Sequence, residues 1–208
     1  MFINKEIYNY IYSTIKNTEP KYLKKIRKLK KIKKKIMSNK IQGRFLSFFS
    51  KIKNPNTILE IGTYLGYSAL CLSEGLKKNG YLLTIEKNKL YFKIAKKNIN
   101  KTKYKKNINI ILGNALKILP KIKKKFDIVF IDADKKNYIN YFKLIKKNIK
   151  KRTLIIVDNV LWKGLVIKKT KDKFTNYIKK FNKFIKNNKK LNNIILPIRD
   201  GLNLIINN

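Results

Sequence analysis

Short runs of β-branched and other apolar residues alternate with stretches of helical periodicity over most of the chain after Thr57. The runs lack apolar/polar alternation, which is typical of strands whose two faces are both covered. This alternation predicts an α/β fold in which a parallel sheet carries helices on both faces. The predicted strands are Thr57–Ile61, Tyr81–Ile85, Ile108–Leu112, Phe126–Ile131 and Leu154–Val157. The predicted helices lie near residues 67–77, 89–99, 115–119, 137–149 and 173–187.

The carboxyl-terminal pattern NIILPIRDGLNLII differs from the rest, because two strand-like runs follow each other with no helix between them. Asp200 and Gly201 lie between these runs, and a D-G turn favours an antiparallel hairpin. The chain is therefore expected to end in two antiparallel strands.

The first fifty residues have the periodicity of helices. Ile3, Ile7, Ile11 and Ile15 form one apolar stripe, and a second stripe runs from Tyr22 through Ile26, Leu29 and Ile32 to Ile36. Ten of residues 21–35 are Lys or Arg. A third helical segment covers about 42–51. No tandem repeat or linker is visible, so we expect a single domain, 1–208, with a helical amino-terminal extension over 1–52.

Composition narrows the classes of protein. The apolar fraction of 44% excludes wholesale disorder. The longest uncharged stretch, 61–73, is too short to span a membrane, and the start lacks the apolar block of a secretory signal. Cys71 is the single cysteine, so a reducing cytoplasm is the expected location. The chain has no histidine, which excludes Ser-His-Asp and Cys-His nucleophile systems and His-ligated zinc.

The net charge is +41, from 52 basic and 11 acidic residues. Such a charge favours attraction to nucleic acid or anionic lipid. However, only four of the basic residues are Arg, and Lys, Ile and Asn together make up about half of the chain. These three residues have the codons richest in A and T, and a protein selected for phosphate contacts would use more Arg, so a biased genome is favoured over nucleic-acid binding as the explanation of the charge. The charge alone therefore does not define a partner.

The scarce acids are more informative, because seven of the 11 lie in the α/β pattern. In the segment ILEIGTYLGYSAL, Gly62 and Gly66 flank a turn from strand to helix, where a ligand can approach backbone N–H groups. The spacing differs from the G-x-G-x-x-G of dinucleotide sites, which argues against an NAD-dependent oxidoreductase. Glu86 ends the next strand, 20 residues after Gly66, a position at which an acid grips a ribose diol. Ser68 is placed either to cap the following helix or to bind a ligand carboxylate.

Three more oxygen donors follow the next two strands. Asp132 follows one strand, and Asp158 and Asn159 follow the other. If these strands are neighbours, the three side chains converge at the carboxyl edge of the sheet. Carboxylate and amide oxygens without Cys or His suit Mg²⁺, Mn²⁺ or Ca²⁺. A divalent-cation site is therefore predicted, with helix capping as the competing role for each Asp. Lys135, three residues after Asp132, is of interest only because of that position.

At this level of detail the sequence resembles the cation-dependent class I O-methyltransferases, which include the catechol and caffeoyl-coenzyme A enzymes and many bacterial relatives. The resemblance covers about residues 36–206. It is carried, in family order and at family spacing, by QGRFL, LEIGTYLGYSAL, TIEKN, GNALKILP, FDIVFIDADKKNY, DNVLWKG and LPIRDGL. It implies a Rossmann-like, seven-stranded, mostly parallel sheet whose last strand is antiparallel. It also implies a homodimer formed through the amino-terminal helices.

The resemblance also implies roles for individual residues. Glu60, Gly62, Thr63 and Ser68 would line the methionine end of S-adenosylmethionine, Glu86 would hold its ribose, and Ala115 would lie near its adenine. Asp134 would lie close to the cofactor, and Ser38 aligns with a cofactor-side position. The implied metal ligands are Asp132, Asp158 and Asn159, and the implied general base is Lys135.

The chain departs from the family at two places: Arg152-Thr153 replaces the usual Gly-Gly before the fifth strand, and Arg199 stands where Gly is frequent. Arg199 could touch substrate. The resemblance leaves two kinds of substrate with adjacent oxygens: a small catechol-like phenol, or the 5-hydroxyuridine of tRNA. The alternative from another class is a basic nucleic-acid-binding protein with a non-catalytic methyltransferase fold, in which the three metal ligands would not be needed together.

Overall fold

The structure is a computed structural model that describes residues 5–15, 19–29 and 40–207. Within those residues the α-helices are α1 Lys5–Thr14, α2 Lys21–Arg27, α3 Lys40–Lys53, α4 Tyr67–Ser73, α5 Lys89–Asn100, α6 Ala115–Ile118, α7 Tyr138–Ile145 and α8 Lys173–Lys186. The strands are β1 Thr57–Ile61, β2 Tyr81–Glu86, β3 Ile108–Leu112, β4 Phe126–Ile131, β5 Ile149–Asp158, β6 Leu191–Leu196 and β7 Leu202–Asn207.

In the described part of the chain the strands form one seven-stranded sheet in the order β3-β2-β1-β4-β5-β7-β6. Strands β1 to β5 pair in parallel, and β7 runs antiparallel to both β5 and β6. The order reverses between β1 and β4, which are neighbours although two strands separate them in the chain. A sheet of this kind binds ligands beyond the carboxyl ends of the strands at such a reversal. The predicted Rossmann-like fold with an antiparallel last strand is confirmed.

Both faces of the sheet are buried along its central strands, which explains the absence of alternation there. In β4, Val129 and Ile131 pack into one apolar cluster with residues of α7 and α8. Their neighbours Ile128 and Phe130 pack into a second cluster with residues of α2 to α5. Successive side chains of a strand point to opposite faces, so positions 128–131 of β4 all need apolar residues.

Two elements differ in extent from the sequence prediction. Strand β5 begins at Ile149 rather than Leu154, because Phe126 pairs with Ile149 and a register shift follows. The shift accommodates Arg152 at a φ of 63°. The residues before Leu154 are mostly charged, so they lack the apolar pattern from which a strand is predicted. The β6–β7 connection spans 197–201, with Arg199 at φ 56° and Gly201 at φ 85°, so the turn is longer than the two-residue type that D-G predicts.

The basic segment that follows Pro20 is helical as far as Arg27. Its apolar side, with Leu23 and Ile26, is buried in the cluster beside α4. The remainder of the predicted stripe, with Ile32 and Ile36, lies outside the described residues, as do Ile3 and Ser38. No described helix is long and apolar enough to cross a membrane.

Candidate active site

A cavity of about 760 Å³ opens at the carboxyl edge of the sheet, where β1, β2, β4 and β5 end. Most of the residues singled out in the sequence line it. They are Gly62, Thr63, Ser68, Glu86, Ala115, Asp132, Asp134, Lys135 and Asn159. Glu60 and Asp158 are fully buried directly before the cavity-lining residues Ile61 and Asn159. The sheet thus brings together residues that are up to a hundred positions apart in the chain.

The glycine turn after β1 requires Gly62 for two reasons. Its φ of 97° favours glycine, and a Cβ at this position would lie 2.2 Å from the carbonyl oxygen of Asp132. The ends of β1 and β4 therefore approach each other at a distance that no side chain permits. Gly66, at φ 83°, then begins α4, whose first turn carries Ser68 against the cavity.

Glu86 is held in place by the backbone around it. Its Oε2 accepts a hydrogen bond from the backbone N–H of Tyr64 at 2.8 Å, and its Oε1 accepts one from Asn88 at 2.8 Å. The carboxylate therefore ties the glycine turn after β1 to the start of α5. Two acceptor oxygens at the end of β2 are the arrangement that a ribose diol needs.

Glu60 is a carboxyl group buried at the centre of the sheet. Its Oε2 accepts a hydrogen bond from Thr84 at 2.6 Å, and Thr84 also bonds to the hydroxyl of Thr63. Its Oε1 has no hydrogen-bond partner among the described residues. Burial raises the pKa of Glu60 to about 8, although the hydroxyls of Ser68 and Thr84 act in the opposite direction. A ligand cation next to Ser68 would stabilise the charged form of this group.

Asp134 and Ala115 lie on the side of the cavity nearest β2 and β3. Burial acts to raise the pKa of Asp134, but hydrogen bonds from Tyr141 and Asn137 and the charge of Lys87 hold it below its usual range. Asp134 is thus a fixed anion in the cavity wall. Ala115 begins α6 and is buried, so it offers a small apolar surface there.

Asp132 and Lys135 form the first half of the predicted catalytic group. The Nζ of Lys135 lies 3.0 Å from Oδ1 of Asp132, and it also lies 5.1 Å from the centre of the Tyr138 ring. Lys135 is 12% exposed and Asp132 is 20% exposed, so both are largely buried in the cavity wall.

Asp158 ends β5 and is fully buried. Its Oδ2 accepts a hydrogen bond from Nε2 of Gln42 at 2.7 Å and lies 3.4 Å from NH1 of Arg199. Burial, followed by the charge of Asp132, raises the pKa of Asp158 to about 7, while the charges of Arg199 and Lys135 act in the opposite direction. Two carboxylates that repel each other in a dry site form a place where a cation binds favourably.

Asn159 supplies the third oxygen. It adopts a φ of 61°, and its backbone N–H donates to Oδ1 of Asp158 at 2.6 Å. Its side-chain Nδ2 donates to Oδ2 of Asp200 at 3.2 Å. Because the nitrogen is engaged with Asp200, the amide oxygen is the atom available to a cation.

The donor set fits a hard divalent cation. No group of three or more His, Cys, Asp or Glu residues that could hold a metal occurs in 5–15, 19–29 and 40–207, so a site built from acids alone is not present there. The combination of Asp132, Asp158 and the amide oxygen of Asn159 is instead a mixed oxygen set, which Mg²⁺ and Ca²⁺ accept, with water completing the shell.

Several supporting residues were not identified from the sequence. Gln42 holds Asp158, Asp200 holds Asn159, and the hydroxyl of Tyr138 donates to the backbone carbonyl of Asp158 at 3.0 Å. The Q-G motif marked Gln42 as part of the resemblance but did not indicate its partner. Tyr138 likewise ends the quoted motif FDIVFIDADKKNY, which did not indicate its contact with Asp158.

Comparison with known proteins agrees with this geometry. The sequence model of the O-methyltransferase family matches residues 13–208. A caffeoyl-CoA O-methyltransferase from Eucalyptus globulus is 30% identical over 95% of this chain and 87% of its own length. A catechol O-methyltransferase from Niastella koreensis is 37% identical over 61% of this chain and 59% of its own length. The crystal structure of the O-methyltransferase from Bacillus cereus in complex with SAH superposes with a TM-score of 0.88 at 28% identity, covering 96% of both chains.

The chain therefore belongs to the O-methyltransferase family, and it is an S-adenosylmethionine-dependent O-methyltransferase of the catechol and caffeoyl-CoA type. The resemblance identified from the sequence motifs is confirmed. The alternative of a basic binding protein without catalysis is not supported by these relatives.

Proposed function

We propose that this protein uses a divalent cation to methylate one of two adjacent oxygens on a small catechol-like phenol. The observation that carries the proposal is that Asp132, Lys135 and Asn159 line the same cavity as the glycine turn. Asp158 is buried directly before Asn159, close enough to Asp132 for that charge to raise its pKa. Relatives named for catechol and for caffeoyl-CoA support a phenolic substrate.

The cofactor end of the cavity has the groups that S-adenosylmethionine requires. Glu86 offers two oxygens to the ribose, and Ala115 offers an apolar contact to the adenine. Glu60 lies directly before the glycine turn, and a positively charged methionine end beside Ser68 would favour its ionised form. Asp134 completes this half of the wall.

The substrate end must generate a reactive phenolate. A phenol titrates near pH 10, so ionising it at pH 7 costs about 4 kcal/mol. S-adenosylmethionine supplies the methyl group, and a cation held by Asp132, Asp158 and Asn159 supplies Lewis-acid polarisation of the two oxygens. Lys135 would receive the hydroxyl proton in its neutral form, which a cation bound beside Asp132 would favour. Transfer of the methyl group to the phenolate oxygen would leave the sulfur of the cofactor as a neutral thioether, so this step would need mainly alignment of the two ligands.

Removal of the cation tests the metal dependence. Methyl transfer to a catechol should be lost in EDTA and restored by Mg²⁺ or Mn²⁺, and Asp158→Ala should not be restored by either ion. Asp127→Ala is the matched control, because Asp127 lies at the start of β4, at the opposite edge of the sheet, and caps β1 through Thr57. Methyl transfer that persists both in EDTA and in Asp158→Ala would exclude a metal-dependent reaction.

One observation favours a tRNA substrate as the second candidate. Tyr22 of α2 and Tyr104 interact through their hydroxyl groups, which places the exposed lysines of α2 beside those of 103–106. Such a basic surface attracts phosphate in a salt-dependent manner. Incubation with a labelled methyl donor and either total tRNA or a panel of catechols separates the two. Label in tRNA alone would replace the small-molecule proposal.

A homodimer is part of the same proposal. Helices α1 and α3 expose large apolar side chains, among them Tyr10 at 70%, Phe48 at 61% and Ile52 at 66%. Surfaces of this kind are covered by partners more often than they are left in water. Light scattering coupled to size exclusion should give about twice the chain mass, and Phe48→Glu with Ile52→Glu should give the monomer. A wild-type monomer would refute this part.

A further inference from the structure

Asp200 is an acid of the cavity wall that lies outside the proposed set of ligands and reacting groups. It belongs to the β6–β7 connection and lies against the loop that follows β5, residues 159–163. Its Oδ2 accepts a hydrogen bond from Nδ2 of Asn159 at 3.2 Å, and its Oδ1 accepts one from the backbone N–H of Lys163. One carboxylate therefore holds both ends of this loop.

The backbone of the 159–163 loop needs such support. Asn159, Trp162 and Lys163 adopt φ values of 61°, 46° and 54°, in the left-handed region that residues with a Cβ rarely occupy. Conformations of this kind persist where surrounding contacts fix them, and they are frequent at functional sites. Asn159 and Trp162 both line the cavity, so the loop conformation decides what the cavity presents to a ligand.

The turn that carries Asp200 also lies against this loop through its backbone. The N–H groups of Val160 and Leu161 donate to the carbonyl oxygens of Gly201 and Asp200 at 3.1 and 2.9 Å. Gly201 permits the approach, since its φ is 85° and a Cβ there would lie 2.9 Å from the nitrogen of Leu161. With both main chains fixed in this way, the Asp200 carboxylate has little freedom to turn away from Asn159.

The hydrogen bond to Asp200 determines which atom of the Asn159 amide is available to a cation. The terminal torsion of asparagine has two similar orientations, which exchange the positions of the oxygen and the nitrogen. An ionised carboxylate accepts hydrogen bonds and donates none, so only the nitrogen of Asn159 is favourable beside Oδ2 of Asp200. The amide oxygen is then left for a cation held together with Asp132 and Asp158.

Asp200 also explains why the third oxygen comes from an amide rather than from a carboxylate. An aspartate at position 159 would put a negative oxygen in the place of Nδ2, 3.2 Å from Oδ2 of Asp200, where the two charges would repel each other. Asparagine offers both the donor that Asp200 requires and the oxygen that a cation requires. Asn159 and Asp200 are therefore matched to each other.

We propose that Asp200 is a positioning residue of the predicted cation site, which holds the amide of Asn159 with its oxygen towards the ion. The inference rests on the proposed function, because the ion belongs to that site. Asp200 acts on the ion through Asn159, as polar groups behind a metal ligand commonly do. Through Lys163 the same carboxylate holds the loop that carries Trp162, so the cation site and this part of the cavity wall share one anchor.

Binding of Mn²⁺ to the protein without cofactor or substrate, followed by electron paramagnetic resonance, tests the proposal independently of turnover. Asp200→Asn keeps the size of the side chain but brings in an amide that can donate to the oxygen of Asn159 and so favour the reversed orientation. The Kd for Mn²⁺ should rise by about tenfold or more. The matched control is Asp172→Asn, which removes a carboxylate that contacts the same loop at Nε1 of Trp162 without lining the cavity. Its Kd should stay within about threefold of the wild-type value, since distant charges are screened.

A second position separates orientation of the amide from simple loss of negative charge. In Asn159→Asp the ligand is a carboxylate, either of whose oxygens can bind a cation, so no orientation has to be fixed. Adding Asp200→Asn to that variant should raise the Kd by less than about threefold, because the two positions no longer cooperate in the same way. The double variant keeps the wild-type charge, and ion binding by it shows that position 200 tolerates asparagine in the folded protein. An equal rise in Kd in both backgrounds would assign the effect to net charge and overturn the proposal.

The outcomes distinguish failure of this inference from failure of the proposed function. Weaker Mn²⁺ binding by Asp200→Asn in the Asn159 background alone supports the role of Asp200 even if no catechol is methylated, and only the proposed reaction then fails. If the wild-type protein methylates a catechol with Mg²⁺ while Asp200→Asn binds Mn²⁺ as tightly as the wild type, the inference alone fails. A wild-type protein that binds no Mn²⁺ would overturn both.

Discussion

Two regions of this protein bury acids in opposite ways. On the side of α2, α3 and α4, Glu19 and Glu74 each pair with an arginine, at 2.9 and 2.7 Å. Further hydrogen bonds come from Tyr67 to Glu19 and from Ser47 to Glu74. Burial acts to raise the pKa of both groups, but these partners hold it below the usual value.

At the carboxyl edge of the sheet the balance is reversed. Glu60 has no cationic partner among its hydrogen bonds, and Asp158 has Arg199 only at 3.4 Å and faces the charge of Asp132. Burial raises the pKa of Glu60 to about 8 and that of Asp158 to about 7. Acids that hold helices together are therefore paired with arginines. Acids at the site where cationic ligands are expected to bind lack such close cationic partners, and we call these the under-compensated acids.

The largest effect should follow from breaking the compensated pair. Glu74→Gln leaves Arg44, which is 9% exposed, as a buried charge without its partner. The free energy of unfolding should fall by about 3–5 kcal/mol, as measured by urea denaturation. The folded fraction should retain its methyl-transfer rate, since Glu74 does not line the cavity. A change of less than about 1 kcal/mol would contradict the assignment of Glu74 to the structural group.

Removal of one charge from the under-compensated acids should leave stability intact but weaken ion binding and catalysis. Asp158→Asn keeps the shape but removes a repelled anion, so thermal stability without ligands should stay the same or rise. Affinity for Mg²⁺ and kcat/KM should both fall by at least about 100-fold, since a ligand atom loses its charge. Mn²⁺ binding followed by electron paramagnetic resonance provides the check. A destabilised variant with unchanged ion affinity would make Asp158 a structural acid.

The two regions should also differ in their dependence on pH. The folded pKa of Glu60, about 8, exceeds its ordinary value of 4.5, so the folded state keeps a proton that the unfolded state releases. Stability without ligands should therefore fall as pH rises from 4.5 to 8, by up to about 1.4 kcal/mol per pH unit for this group. The lowered pKa values of Glu19 and Glu74 contribute stability that is lost only at lower pH, as those groups protonate in the folded state.

Glu60→Gln isolates this contribution. The variant should flatten the slope of the melting temperature between pH 5 and 8, while Glu74→Gln should lower the curve without changing its slope in that range. Denaturation curves of both variants at several pH values are sufficient. An unchanged slope in Glu60→Gln would show that Glu60 is ionised in the folded protein.

The smallest effect concerns the two strained arginines. Arg152→Gly relieves a φ of 63° at an exposed position, so the folded state should gain about 1 kcal/mol, offset in part by the greater freedom of glycine in the unfolded chain. Arg199→Gly should also relieve strain but removes the contacts of NH1 with Gln42 and Asp158, so its gain should be smaller. Thermal denaturation of the two variants, measured side by side, shows whether these contacts matter.

Much of the fold could be predicted because it depends on local patterns. The limits of β1, β3 and β4 agree with the prediction, since each strand consists mainly of apolar residues that stand out from the polar segments around it. The start of β5 could not be predicted, because the run of Lys150, Lys151 and Arg152 is charged and its pairing depends on Phe126 of the neighbouring strand.

The sequence by itself determined which residues reach the candidate site, because the ends of parallel strands must lie at one edge of a sheet. Tertiary structure decided what each of them contacts. Gln42 and Asp158 are 116 positions apart, and no periodicity links an amide on α3 to a carboxylate at the end of β5. The charge environments of Glu60 and Arg199 likewise arise only when the chain has folded, because electrostatic energy depends on distance and burial rather than on order along the chain.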